Sequence, residues 1–248
     1  MHGTPDLLGL RGLTAVVVGG AAGLGRAVSR RLAEAGCRVA VADIADEAGA
    51  SVVEDIRKAG GAALYRHADA RSRTDIRDVI TAARSEFGPL AVAVNVVGNP
   101  GGTAGIKPFL DMTEHDMRAR LELNFLTTFV ACQEEALAMI EDGASGRIVN
   151  FGSSSGLVGA ANVSGYGAAK AAVAHFTSRR RWNWPATASA STASCPVLKP
   201  TRTPACRRTN AWRSSAGGPP RHPCCAAWGR PTRQQGPRCS SPRTCPAT

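Results

Sequence analysis

Short apolar runs alternate with amphipathic stretches over the first 177 residues of this chain. The apolar runs occupy residues 13–19, 38–42, 62–67, 91–96 and 147–151, and their short length and high Val and Ala content are typical of buried strands. Helical periodicity lies between them, over residues 24–35, 47–58, 74–87, 114–140 and from 165 onward. Strands that are apolar throughout and separated by helices predict a parallel sheet covered on both faces. We therefore expect residues 1–177 to form one doubly wound α/β domain.

A glycine-rich turn joins the first apolar run to the first helical stretch. It reads GGAAGLG over residues 19–25. Glycine lets the backbone turn sharply and approach a pyrophosphate closely, and a helix N-terminus adds free amides and a partial positive charge. Between a strand and a helix, this spacing predicts a site for the phosphates of a dinucleotide. A tight connection that binds no ligand is the alternative.

An acidic residue, Asp43, closes the second predicted strand, eighteen residues after Gly25. A carboxylate at this position can accept hydrogen bonds from ribose hydroxyls and would repel a 2′-phosphate, so NAD is favoured over NADP. Arg38 on the same strand could offset that repulsion. Asp43 could also serve only as a cap for the following helix.

Three residues near the fifth predicted strand carry candidate chemistry. Tyr166 and Lys170 are four residues apart, so a helix places both side chains on one face, with the ammonium near the phenol. A cation beside a phenol favours the phenolate, and Tyr166 could then exchange a proton with a substrate oxygen. Ser153 follows the strand and would hydrogen-bond the same oxygen, at the sheet edge where open α/β domains bind ligands.

The motifs described above resemble the short-chain dehydrogenase/reductase family from about residue 10 to residue 177. The family pattern combines a glycine turn, an Asp after the third strand, N-N-A-G after the fourth, a helix Asn, and Ser with Y-x-x-x-K. Val18, Val96, Val97 and Gly152 depart from that pattern, but none of them replaces a catalytic group. The resemblance implies a Rossmann-like domain and hydride transfer between a nicotinamide cofactor and an alcohol or carbonyl.

The resemblance also implies roles for individual residues. The cofactor-binding set is Gly19, Gly23, Leu24 and Gly25 at the pyrophosphate, Asp43 at the ribose, Asp69 and Ala70 at the adenine, Asn95 and Gly98 in the cofactor cleft, and Tyr166 and Lys170 at the nicotinamide end. The catalytic set is Asn124, Ser153, Tyr166 and Lys170, with Asn124 holding a water in the proton relay. The substrate would be a small alcohol or ketone, and intact relatives form homo-oligomers through their long fourth and fifth helices.

The last 71 residues differ from the rest in composition. Residues 178–248 hold 13 Lys and Arg residues but no Asp or Glu. The positive charge of this segment therefore exceeds the net charge of the whole chain, which is +11. They contain 11 of the 15 prolines, six of the eight cysteines and all four tryptophans, yet Val197 and Leu198 are their only large aliphatic residues. Such a segment cannot bury enough apolar area to offset its ordering entropy, so we expect it to be disordered.

A shift of reading frame near Ser178 is the favoured interpretation of this basic segment, and the genetic code permits a test. Residues 182–185, Trp-Asn-Trp-Pro, can be encoded only as TGG-AAY-TGG-CCN, so the frame that starts at each third base must read Glu-Leu-Ala there. With synonymous codons on either side, this frame can read VELARDGIRVNCVLPG and, later, PDEAAGAALFLASDVSCY. Both strings resemble the C-terminal part of short-chain dehydrogenases. A shifted chain would lack the family's sixth and seventh strands and its substrate-covering loop.

Three functional hypotheses follow. The favoured one is an NAD-dependent oxidoreductase, the second is an inactive remnant that binds nucleotide weakly, and the third is a nucleic-acid or anionic-surface binder acting through an evolved Arg-rich tail. The tail cysteines lack the spacing and the histidine partners of a zinc site, so no metal is predicted. Two scattered thiols, Cys37 and Cys132, no signal peptide and no apolar run of membrane-spanning length lead us to expect a protein of the cytoplasm without a membrane partner.

Overall fold

Segments rich in valine and alanine form a six-stranded parallel sheet. The structure, a computed structural model, describes residue 6 and residues 8–101, 105–178 and 188–193. The strands within these residues are β1 (Thr14–Val18), β2 (Arg38–Asp43), β3 (Ala62–His67), β4 (Leu90–Asn95), β5 (Gly146–Phe151) and β6 (Ala188–Ala193). The order across the sheet is β3-β2-β1-β4-β5-β6, and every neighbouring pair is parallel. The strand order reverses between β1 and β4, which is where open α/β sheets bind ligands.

Helices connect the strands over the described part of the chain. They are α1 (Gly23–Glu34), α2 (Asp46–Lys58), α3 (Arg73–Phe87), α4 (Glu114–Leu121), α5 (Thr127–Glu141) and α6 (Ser164–Thr177). Polar caps explain where two of them begin: the Ser72 side chain accepts from the Asp75 amide at the start of α3, and Thr113 and Asp116 form a capping box at the start of α4. None of the described helices is both long and apolar enough to cross a membrane.

The core lies in two layers, one on each face of the sheet. On one face, buried residues of β1 and β2 pack with α1 and α2, including Val17, Val39, Val52 and Ile56. On the other face, side chains of α3 and α5 pack against the sheet, including Ile76 and Met139. The doubly wound parallel architecture predicted from the alternating pattern is therefore confirmed.

The predicted boundaries of the first five strands lie within one residue of the observed ones, and so do those of α1, α2 and α3. The long helix predicted over residues 114–140 is interrupted, because Glu122–Leu126 form a π-helical turn between α4 and α5. Within this turn, the side-chain amide of Asn124 donates to the Arg120 carbonyl oxygen at 3.1 Å. A π-helical turn bonds to one residue further along than an α-helical turn. The hydrophobic periodicity of the sequence does not reveal it, because the residues on both sides are α-helical.

A sixth strand corrects the expectation that no regular structure follows Ser178. Residues Ala188–Ala193 pair with β5 in parallel, from Gly146 opposite Ala188 to Phe151 opposite Ala193. Composition gave no sign of this strand, because the segment reads ASASTA and lacks the large side chains typical of strands. The other residues of the predicted disordered segment, 179–187 and 194–248, lie outside the described part of the chain.

Candidate active site

The candidate site lies at the C-terminal ends of the parallel strands, beside the β1–β4 crossover. The glycine turn follows β1 and Asp43 ends β2, while Gly98 and Ser153 lie in the segments that follow β4 and β5. Because all these strands run in the same direction, the segments after them meet at one edge of the sheet. The fold thus brings most of the predicted site residues to one edge of the sheet, where the predicted cofactor cleft would lie.

The glycine turn has the backbone that a phosphate site requires. Gly19 and Gly23 have φ values of +78° and +51°, which favour glycine, and a β-carbon on Gly25 would overlap the Gly19 carbonyl oxygen. Helix α1 begins at Gly23 with no side-chain cap hydrogen bond and no acidic residue in its first turn, whereas α2, α3 and α4 each carry one or more there. Its first amides, next to the half-exposed Leu24, are therefore left without a side-chain cap, as an anion site at a helix N-terminus requires.

The Asp43 carboxylate lies against the glycine turn. Its Oδ2 accepts from the Ala21 amide at 3.0 Å and its Oδ1 from the Ala45 amide at 3.1 Å. Ala45 is the N-cap residue of α2, so Asp43 does contact the backbone at the start of that helix, as the cap alternative supposed, but it also binds the glycine turn. The two contacts place the carboxylate between the glycine turn and the start of α2.

Arg38 cannot offset the charge of Asp43, which corrects the alternative drawn from the sequence. Arg38 begins β2 and Asp43 ends it, so five residues and roughly 16 Å of extended chain separate them. The Arg38 guanidinium donates to the Phe87 carbonyl oxygen at 2.8 Å, at the opposite edge of the sheet. The two residues are close in sequence, but the extended strand holds their side chains at its opposite ends.

Asp69 and Ala70 follow β3 at the same edge. The Asp69 carboxylate accepts from Arg71 Nη2 at 2.6 Å, and this contact holds the pKa of Asp69 below its usual value. The Asp69 amide donates to Asp75 Oδ2 at 2.9 Å, which fixes the backbone at the start of α3. Ala70 is 7% exposed, so its side chain contributes little surface to the cleft.

Helix α6 carries Tyr166 and Lys170 on one face and packs against the turn that holds Ser153. Lys170 is 4% exposed, and its Nζ donates to the carbonyl oxygens of Phe151 at 2.9 Å and Val97 at 3.3 Å. Tyr166, one helical turn earlier, is partly exposed. Ser153 Oγ accepts from the Ser155 amide at 3.2 Å and caps the short 3₁₀ turn Ser154–Gly156.

The contact between that turn and α6 is close enough to require glycine. A β-carbon on Gly167 would lie 2.6 Å from the Ser155 carbonyl oxygen, and one on Gly156 would lie 2.7 Å from the Ala171 amide nitrogen. Backbone therefore packs directly against backbone on both sides of the interface. This contact holds the segment of Ser153 next to the helical turn that carries Tyr166.

Gly98, Asn124 and Lys170 meet at one point of the cleft. A β-carbon on Gly98 would overlap Asn124 Oδ1 and would lie 3.3 Å from Lys170 Nζ. Asn124 is fully buried, and its Oδ1 has no hydrogen-bond partner among the residues that the structure describes. A buried carbonyl oxygen without a partner is able to accept a further hydrogen bond.

The Asn95 side chain does not line this cleft, which corrects its predicted place. Asn95 is 2% exposed, and its Nδ2 donates to Glu135 Oε2 at 3.0 Å and to Asn150 Oδ1 at 2.9 Å. Successive strand residues face opposite sides of the sheet, and Asn95 faces the side covered by α5. Asn95 therefore ties β4, β5 and α5 together beneath the site.

Sequence reasoning missed two buried charged residues near the site. Complete burial raises the pKa of Glu135 to about 7, which makes it the buried acid of the Asn95 network. Arg120 is 6% exposed and donates to the carbonyl oxygens of Pro100 and Gly105. The signal for Glu135 is its place among the apolar residues of a buried helix, but Arg120, in a helix rich in charged residues, carries no such signal.

A family model described as short chain dehydrogenase matches residues 13–211, which extends beyond residue 177, where the resemblance was expected to end. The 2,5-dichloro-2,5-cyclohexadiene-1,4-diol dehydrogenase of Sphingobium indicum is 38% identical over 168 residues, which are 68% of this chain and 65% of that protein. The cis-4-hydroxycyclohexanecarboxylate dehydrogenase of Sinomonas cyclohexanicum is 37% identical over 66% of this chain and 64% of that protein. The chain thus spans slightly less than two thirds of the length of these relatives.

Solved structures show the same fold. A 7α-hydroxysteroid dehydrogenase in complex with NADH and 7-oxo glycochenodeoxycholic acid has a TM-score of 0.63 at 33% identity and is matched over 69% of this chain and 65% of its own. An actinorhodin polyketide ketoreductase with NADPH has a TM-score of 0.61 at 32% identity over 66% of this chain and 62% of its own. One of these similar proteins holds NADH and the other NADPH.

Proposed function

This chain belongs to the short-chain dehydrogenase family, and we propose that it is an NAD-dependent oxidoreductase that interconverts a small alcohol and its carbonyl. The observation that carries this proposal is the meeting of Gly98, Asn124 Oδ1 and Lys170 Nζ at the sheet edge, one helical turn from Tyr166. A buried amide oxygen with no partner among the described residues, beside an ammonium, is costly unless the site uses it.

The residues at the glycine turn fit a dinucleotide. A β-carbon on Gly23 would meet nothing within 4 Å, so the backbone is open on that side, and the uncapped start of α1 would receive the pyrophosphate. Asp43 would accept from the ribose hydroxyls with the lone pairs that its two backbone contacts leave. The negative charge of Asp43, with Arg38 at the far end of the strand, supports NAD rather than NADP.

The catalytic roles follow from the chemistry of each side chain. A bound nicotinamide cofactor supplies the carbon that accepts or donates a hydride. Tyr166 would exchange a proton with the substrate oxygen, and Ser153 would hold that oxygen by a hydrogen bond. Lys170 would keep a positive charge one turn from the phenol, and Asn124 would hold a water that returns the proton to solvent.

Ring alcohols appear in the names of most of the similar dehydrogenases, although that of Corynebacterium glutamicum is named for the acyclic L-2,3-butanediol. The names of the two relatives above, and of the cyclohexanol dehydrogenase of an Acinetobacter species, all refer to a hydroxyl group on a six-membered ring. We therefore propose a secondary alcohol on a carbocycle as the substrate of this chain. Cyclohexanol and cis-4-hydroxycyclohexanecarboxylate are the probes to compare, since they differ by one carboxylate.

Calorimetric titration with NADH and a turnover assay on the purified full chain test this proposal. We expect NADH to bind, one of the ring alcohols to be oxidised, and Tyr166→Phe to lower kcat by about 10²- to 10⁴-fold while the Kd for NADH stays within about twofold. Binding without turnover would favour the inactive remnant. The absence of both would reject the proposal, and unchanged turnover in Tyr166→Phe would reject the assigned chemistry.

We also propose that residues 178–248 are read out of frame. In the frame that starts at each third base, codons 188–193 can encode Ile-Arg-Val-Asn-Cys-Val, a sequence typical of a buried strand, and these are the positions that form β6. A shifted frame preserves the number of codons but changes the residues, so the family match that continues to residue 211 counts against the shift, whereas the position of β6 supports it. The Arg-rich composition of the segment would then carry no nucleic-acid function of its own.

A further inference from the structure

Arg120 is a buried cation that no part of the proposed chemistry uses. It lies in the last turn of α4, and its side chain is almost fully buried. Its Nη1 donates to the Pro100 carbonyl oxygen at 2.5 Å and its Nη2 to the Gly105 carbonyl oxygen. No carboxylate among the described residues forms an ion pair with it. Burying a guanidinium without a counter-charge costs free energy, so its two carbonyl contacts must be strong ones.

The same residue contacts two further segments of the site. The Arg120 carbonyl oxygen accepts from Asn124 Nδ2 at 3.1 Å, so it fixes the amide whose oxygen faces Gly98. A β-carbon on Gly165, the residue before Tyr166, would lie 3.2 Å from Arg120 Cγ, so the aliphatic stem of Arg120 packs against the first turn of α6. Arg120 thus connects the segment after β4, the π-helical turn and the start of α6.

We propose that Arg120 is a positioning residue that holds Gly98 beside Asn124 and Lys170, an inference that rests on the proposed function. Gly98 lies two residues before Pro100, so the Arg120–Pro100 hydrogen bond limits how far the Gly98 backbone can move from Asn124 Oδ1. The Arg120–Gly105 hydrogen bond restrains the same segment at its C-terminal end. If both bonds are lost, the distance between Gly98 and the Asn124 oxygen is no longer fixed.

Two guanidinium nitrogens, rather than one ammonium, are needed for this task. The planar fork of Arg donates in two fixed directions, whereas Lys presents a single point charge on a flexible stem. An ion pair also restrains the same segment, because Lys107 Nζ donates to both carboxylate oxygens of Asp116 at 2.9 and 3.0 Å. That contact holds residue 107, but it lies nine residues after Gly98 and cannot fix the position of Gly98 itself.

Hydrogen exchange on the full chain measures directly how firmly the two Arg120 hydrogen bonds hold this segment, and it requires no enzymatic turnover. Arg120→Met keeps the aliphatic stem that packs on Gly165 and removes all donors. We expect amide exchange of residues 97–101 and 105–110 to become at least about tenfold faster in this variant, because two charge-assisted hydrogen bonds are lost. Exchange in the glycine turn at residues 19–25 should not change. Arg118→Met is the matched control, since Arg118 lies on the same helix and, among the residues that the structure describes, its ion pair is with the exposed Glu114.

Turnover supplies the second readout. We expect Arg120→Met to lower kcat by about 10- to 100-fold with the Kd for NADH within about twofold, because misplacing one wall of a site by about 1 Å has effects of this size. Arg120→Lys should recover only part of the loss, and it replaces Arg120→Met in both measurements if the latter does not fold. A folded variant whose exchange in residues 97–110 equals that of the wild type would overturn the inference.

The two proposals can fail separately. If the wild-type chain neither binds NADH nor oxidises a ring alcohol, the proposed function fails, while the exchange comparison still decides whether Arg120 holds the Gly98 segment. If the wild type is active and Arg120→Met loosens the segment without changing kcat, the positioning role is wrong and Arg120 only stabilises the fold.

Discussion

The backbone of Gly98 faces the side-chain oxygen of Asn124 so closely that a β-carbon on Gly98 would overlap that oxygen. Gly98 also has a φ of +121°, a backbone conformation that side-chain-bearing residues rarely adopt. Lys170 Nζ lies 3.3 Å from the same hypothetical β-carbon. The segment after β4 therefore packs directly against two predicted catalytic side chains, and Gly98 has no room for a β-carbon there.

Gly98→Ala should accordingly disable the site more than it unfolds the chain. The methyl group must displace Asn124 or shift the backbone, so we expect kcat to fall at least about 10-fold, as for a misplacement of about 1 Å. Gly60→Ala is the matched control, because Gly60 also has a positive φ, +85°, but has nothing within 4 Å of its hypothetical β-carbon. Both variants should lose about 1–2 kcal/mol of unfolding free energy from backbone strain, but only Gly98→Ala should lose turnover. Equal turnover in the two variants would argue against the assigned site.

Asp43→Asn should reduce the preference for NADH over NADPH. The substitution keeps the size of the side chain but removes the negative charge that would repel a 2′-phosphate. We expect the Kd for NADH to rise about tenfold, because a hydrogen bond to a charged acceptor is weakened, and the Kd for NADPH to fall. Asp46→Asn is the control, since Asp46 lies three residues on and pairs with the exposed His67. If Asp43→Asn leaves the ratio of the two Kd values unchanged, Asp43 does not select the cofactor.

Glu135 should make the chain less stable as the pH rises. Burial raises its pKa from 4.5 to about 7, so between these two pH values the folded state holds a proton that the unfolded state releases. Stability therefore falls as the pH rises from about 4.5 to 7 and is constant above that, with a total loss of about 3 kcal/mol. Glu135→Gln mimics the neutral form, so its unfolding free energy at pH 8 should exceed that of the wild type, as measured by urea unfolding.

The pKa of the neighbouring Glu134 is shifted in the opposite direction to that of Glu135. Burial raises its pKa, but hydrogen bonds from Arg77 and Arg73 outweigh burial and hold the pKa below its usual value. Glu134 therefore contributes stability above pH 4.5 that is lost as the pH falls through its lowered pKa, and Glu134→Gln should destabilise the chain at pH 8. If both Gln variants change stability in the same direction, the raised pKa of Glu135 is wrong.

The sheet could be predicted from the sequence because its strands are short, apolar and bounded by helices with clear periodicity. The places of Gly19, Gly25, Tyr166 and Lys170 followed from local spacing alone. Asn95 was misplaced because the strand alternation that turns its side chain toward α5 depends on which face α5 covers. Arg120 was missed because its partners, Pro100 and Gly105, are 20 and 15 residues away, and a spacing rule within one helix cannot reveal them.

A corrected reading of the gene is expected to change β6 and the remaining residues after it. We predict an inserted or deleted base between codons 170 and 182, and a restored chain with Ile-Arg-Val-Asn-Cys-Val at codons 188–193, where the present chain has ASASTA. Each large aliphatic side chain that the restored strand buries against its neighbours would add about 1.5–3 kcal/mol. The restored chain should therefore unfold at a higher temperature and oxidise ring alcohols with a higher kcat than the present chain. Sequencing that confirms the present frame, together with full activity of the present chain, would show that the Arg-rich ending is genuine.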